Sequence, residues 1–95
     1  MVATAYVHSE DTAGARDRSA PRRDMYLWGT IRALGETSER FLVLNLSSSG
    51  VMGESSKAFA KGCFVEVMMP GIGLVNATIA WCERGKLGAK FLRPI

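Results

Sequence analysis

Two clusters in this chain carry side chains suited to gripping a compact polar ligand. Arg16, Arg18, Arg22 and Arg23 crowd into one short segment, and Asn45-Leu46-Ser47-Ser48-Ser49-Gly50 follows some two dozen residues later. A guanidinium is a planar fork of N–H donors. It meets the O6/N7 edge of guanine or a phosphate with paired bonds, and its flat face stacks on a base. Asn45 offers an acceptor and a donor, Ser47 a hydroxyl, and Gly50 room for close backbone approach. Each cluster also has a plainer reading. Six small polar residues between apolar runs make a turn, and an arginine-rich segment makes a solvated basic tail.

The placement of charge is more telling than its sum. Twelve Lys and Arg against nine Asp and Glu give +3, and the window Arg16 to Arg23, with four Arg and one Asp, is itself +3. The remaining charges cancel. That describes a local anion site, not the broad basic face of a duplex-DNA binder. Ninety-five residues make one domain with a single modest core. No apolar run reaches the ~18 residues that span a bilayer, and Met1 to Ala15 lacks the charged and apolar regions of a signal peptide. A cytoplasmic protein is expected, with no membrane partner. Cys63 and Cys82 stand far apart without CxxC spacing, and His8, the one histidine, lies in the leader. Two buried free thiols are the expectation, not a zinc site.

The elements that must position these clusters read as strands. Residues 1–15 read as a mobile, disordered polar leader with no sustained period, to which no structure is assigned. Residues 16–95 are taken as the domain, and Pro21 holds the arginine segment away from helix. Met25 to Leu34 alternates and is rich in aromatic and β-branched residues, with Gly29 marking a bulge or bend. Arg40 to Leu44, Val51 to Glu54, Cys63 to Met69, Leu74 to Cys82 and Leu87 to Leu92 complete six strands. In the fifth, Val75, Ala77, Ile79 and Trp81 share one side. Ser55 to Gly62 is a loop or helical turn, and Glu83 to Lys86 a hairpin turn in which Arg84 and Lys86 are solvated. Short strands with turn chemistry between them predict an all-β fold, a small six-stranded antiparallel barrel or compact sandwich.

Arg18-x-x-x-Arg22 followed by Asn45-x-Ser47-x-x-Gly50 resembles the two-part signature of the PilZ domain. The resemblance runs from Arg16 to Phe91 and includes Ala80-Trp81 and Gly88-Ala89-Lys90-Phe91. It implies a split-type barrel with a flexible N-terminal arm that binds cyclic di-GMP through Arg18, Arg22, Asn45, Ser47 and Gly50. Arg16 and Arg23 would be extra donors toward phosphate. Trp81 stands where such proteins often have an apolar or aromatic residue walling the ligand, although core packing also accounts for it. Asn45 fits the family's Asp-or-Asn position but lacks a carboxylate's charge. The resemblance implies that the neighbourhood of Asp17 influences whether one or two nucleotides bind, without giving the count.

On this reading the protein is a receptor without catalytic chemistry and with no cofactor besides its ligand. Ordering of the arginine arm signals to a downstream protein, in motility, adhesion or polysaccharide control. A monomer is expected, with a dimer left open, and neither DNA nor RNA is a partner. One rival is a PilZ-like interaction module that binds no nucleotide. Another is a barrel for single-stranded nucleic acid, disfavoured because the aromatics sit in apolar runs away from the basic segment. No carboxylate pair, Ser-His or Cys-His set, metal cluster or phosphate loop speaks for an enzyme.

Overall fold

The computed structural model describes residues 6–7 and 23–95. The strands are β1 (Tyr6–Val7), β2 (Arg23–Ala33), β3 (Glu39–Leu46), β4 (Gly50–Glu54), β5 (Phe64–Met69), β6 (Gly73–Glu83) and β7 (Lys86–Phe91). All pair antiparallel in the order β1-β2-β3-β4-β7-β6-β5, and β2 closes back onto β5. Six strands, β2 to β7, thus form the closed barrel that the alternation predicted, and closure leaves no long unpaired edge. No helix forms among the described residues, so none is long and apolar enough to cross a membrane.

Strand ends shift by a residue or two from the sequence reading, and some of the differences matter. The leader, to which no structure was assigned, contributes β1, with Val7 opposite Arg23 and Tyr6 opposite Asp24. Two residues carry too little periodicity to be read as a strand. Asn45 and Leu46 belong to β3, not to the turn, and Gly50 already belongs to β4. Of the two readings of Ser55 to Gly62 the loop holds, and it takes in Cys63, since β5 begins at Phe64.

Alternation puts the core where β-branched and aromatic residues recur. Ile31, Phe41, Val43, Val65, Val67, Met69, Ile79 and Leu87 are fully buried, each contributing roughly 1.5–3 kcal/mol by leaving water. Phe59 joins this cluster from the β4–β5 loop, its backbone N–H 3.4 Å from Cys82 Sγ. Both cysteines are free, but half-buried, not fully buried as expected. Gly29 sits where β2 turns from its start toward β5. A Cβ there would lie 2.1 Å from the Met68 carbonyl oxygen, so only glycine lets the strands cross. The β6–β7 hairpin turns on Arg84 (φ 55°) and Gly85 (φ 80°), the positive angles of a two-residue type I′ turn.

Two irregularities matter most. The β3–β4 register shifts between Val43 and Asn45, and the β6–β7 register between Ile79 and Trp81. Each leaves one residue, Leu44 or Ala80, without a partner across the ladder. A bulge of this kind inverts the in–out alternation beyond it.

Candidate functional site

The bulge at Leu44 decides where Asn45 stands. Phe41 and Val43 face the core, and strict alternation would send Asn45 inward behind them. The extra residue turns the phase, so that Leu46 packs against the core and Asn45 is left half-exposed on the outer wall. The bulge at Ala80 does the same for Trp81. Sequence alternation put it beside Ile79; instead Cys82 packs inward and the indole lies outside, 40% exposed.

Both bulges feed one transverse row. Asp24 is opposite Asn45, Asn45 opposite Met52, Met52 opposite Gly88, and Gly88 opposite Trp81. Directly opposed residues share a face, so these five form a continuous band across the barrel's outer wall. Asn45 and Trp81 are three strand spacings apart, about 14 Å. The indole narrows that gap by lying across Gly88, where a Cβ would fall 2.3 Å from its Nε1. Met52 reads from the sequence as a strand residue and Gly88 as part of the family-like stretch, neither as a site residue, because a methionine and a glycine carry no chemical signature until the register aligns them.

Asn45 Nδ2 donates to Asp24 Oδ1 at 2.8 Å. An ionised carboxylate only accepts, so the amide must present its NH₂ to Asp24, and its carbonyl oxygen turns the other way. That oxygen can take N–H donors such as the N1/N2 edge of guanine. Ser47 holds the corner together. Its N–H donates to the Gly50 carbonyl at 3.0 Å, and its Oγ accepts from Ser49 N–H at 3.2 Å. Gly50 is required by the sheet, since a Cβ there would sit 2.7 Å from the Ala89 carbonyl oxygen. The chain end also closes on this corner: Phe91 N–H donates to Ser49 O and Ile95 N–H to Ser48 O, both at 2.9 Å. Exposed Arg93 lies between those two anchors, and exposed Lys90 stands opposite Gly50. Neither cation was singled out from the sequence.

Arg18 and Arg22 lie outside the described residues, as do Arg16 and the side chain of Arg23. The Arg23 backbone is opposite Leu46 in the β2–β3 ladder. The covalent chain toward Arg22 therefore begins one residue from Asn45's own partner, Asp24. Among the described residues no group of three or more His, Cys, Asp or Glu could hold a metal ion.

The expectation that aromatics stay within apolar runs does not hold for the outer wall. Tyr26 and Trp28 on β2 are 73% and 53% exposed. Their even positions alternate with the inward Met25 and Leu27, and an aromatic satisfies strand propensity on either face.

The Bacillus subtilis inhibitor of motility (MotI/DgrA) has a solved structure similar to this chain. The TM-score is 0.61 at 17% identity, covering 83% of this chain and 44% of that one. The chain thus spans less than half of that protein, and at this identity the likeness is one of fold. No family model matches the sequence, and no curated protein does.

Proposed function

We propose that this barrel is a cyclic di-GMP receptor of PilZ type, which passes its state to a downstream protein in the cytoplasm. The observation that carries the reading is the Asp24–Asn45–Met52–Gly88–Trp81 row, with the arginine segment entering the barrel beside it. Guanine has an N–H edge for the Asn45 carbonyl oxygen, a π face for the Trp81 indole, and an O6/N7 edge for a guanidinium. The two phosphates fall to the remaining arginines. Arg18, Arg22 and Arg23 close over the nucleotide from one side, and the Asn45–Gly50 corner holds it from the other. Ser47 contributes by fixing that corner, and Gly50 by keeping β4 close to β7. Ligand binding folds the arginine segment onto the outer wall, and the changed surface is what a partner reads. The likeness to a protein named for inhibiting motility supports a regulatory role of this kind.

Titration calorimetry with cyclic di-GMP tests this. Heat of binding that disappears in Arg18→Ala with an unchanged apo melting temperature, and in Asn45→Ala with a fall of only the few degrees that losing the bond to Asp24 entails, supports the assignment. No heat at micromolar protein favours the alternative of a PilZ-like interaction barrel without nucleotide.

A second reading gains one observation. Tyr26, Trp28 and Trp81 are exposed on the wall, and exposed aromatics beside cations also suit single-stranded nucleic acid. Oligonucleotide binding that falls steeply with salt would support that reading over a dinucleotide receptor.

A further inference from the structure

A cleft of about 490 Å³ opens on the same wall, its lining including Trp28, Arg40, Glu54, Arg84, Gly85 and Lys86. It uses none of the residues of the nucleotide row. Met52 and Gly88 belong to that row, and Glu54 and Lys86 lie two residues further along the same strands, roughly 7 Å away.

The Arg40 guanidinium carbon lies over the Trp28 ring, 4.3 Å from its centroid, a cation–π contact. Such a contact keeps the guanidinium beside the indole while its N–H donors remain able to meet an oxyanion. Arg40, Arg84 and Lys86 form no salt bridge with any described residue, although Glu54 lines the same cleft. Lys86 is registered between Glu54 on β4 and Glu83 on β6, so three cations face two carboxylates and an excess of one positive charge remains, with neither Arg40 nor Arg84 in a salt bridge among the described residues.

Arg84 supplies an independent sign. It holds φ at 55°, a position in a type I′ turn where Asn, Asp or Gly is favoured. The turn would be easier to form with any of those three. What arginine adds there is a guanidinium at the mouth of the cleft, and a strained position kept by a functional group points to use of that group.

We propose that the cleft binds an acidic segment of a protein partner, with Arg40 and Arg84 each clamping a side-chain carboxylate. Two features select a peptide over a phosphate. Glu54 would repel a compact dianion, whereas it accepts backbone N–H groups from a chain whose own carboxylates sit apart from it. Trp28 on β2 and Lys86 on β7 are also three strand spacings apart, about 14 Å, which matches four extended residues at about 3.4 Å each.

The test is a ¹⁵N NMR titration of the nucleotide-free protein with blocked tetraglutamate, beside blocked tetralysine and inorganic phosphate. Tetraglutamate is expected to shift the Trp28 indole N–H and the Gly85 amide while leaving the Trp81 indole in place, and tetralysine to shift neither. Arg40→Gln combined with Arg84→Asn weakens the response about tenfold or more, as loss of charge-assisted contacts requires. Arg84→Asn suits the turn, and Arg84→Asn alone gives a second folded variant with a partial loss. Absence of shifts at millimolar peptide overturns the proposal. So do shifts that survive the double substitution, or phosphate producing the same shifts at lower concentration. Because no nucleotide is present, each outcome stands apart from the cyclic di-GMP assignment.

Discussion

Gly88→Ala tests the packing that builds the outer row. The added methyl would lie 2.3 Å from Trp81 Nε1 and 2.8 Å from Cε2, far inside contact distance. Neither the methyl on β7 nor the closed ladder can retreat, so the indole must lift. Trp81 is 40% exposed, which leaves some three fifths of a large side chain covered. A tryptophan buries up to about 250 Å² when fully enclosed, so roughly 150 Å² is covered here. Lifting the ring uncovers about half of that, near 75 Å², and costs about 2 kcal/mol at 25 cal/mol per Å². Replacing a strand glycine returns about 0.5–1 kcal/mol through lower backbone entropy in the unfolded chain. The net loss is about 1 kcal/mol, a fall of about 4–8 °C in Tm for a domain of this size. Thermal unfolding measures it, and tryptophan emission in a Trp28→Phe background should move to the red as the ring becomes solvated. In a Trp81→Ala background Gly88→Ala should become neutral or stabilising, with a coupling of about 2 kcal/mol. A stabilised single variant, or additivity in the cycle, would refute the claim that the indole rests on Gly88.

Other outcomes follow from the same coordinates. Arg18→Ala or Arg22→Ala should each weaken cyclic di-GMP binding by about 2 kcal/mol in calorimetry, the scale of a charge-assisted contact, with the apo Tm unchanged. Gly53→Ala should be severely destabilising, by more than about 3 kcal/mol, because the new Cβ meets the Leu42 carbonyl at 2.2 Å and the buried Phe41 ring at 2.7 Å. Arg84→Asn should raise Tm by a few degrees, since Asn tolerates positive φ at about 1 kcal/mol less strain. Asn45→Asp places a carboxylate directly against Asp24 and should cost about 1 kcal/mol in denaturant unfolding.

Much of this molecule was legible from residue order. Apolar alternation fixed the barrel strands, because a period of two can bury only one face of a sheet. Glycine and proline marked the turns, and the arginine and Asn-x-Ser-x-x-Gly clusters stood out by side-chain chemistry alone. The thiols, too, were correctly read as free. What the order of residues could not carry was phase. Leu44 and Ala80 look like ordinary strand residues, and their bulges show only in the pairing of β3 with β4 and of β6 with β7. A ladder's register is a property of two strands at once. Tertiary closure therefore decided that Asn45 and Trp81 face outward, that Met52 and Gly88 lie between them, and that a basic cleft opens beside the row.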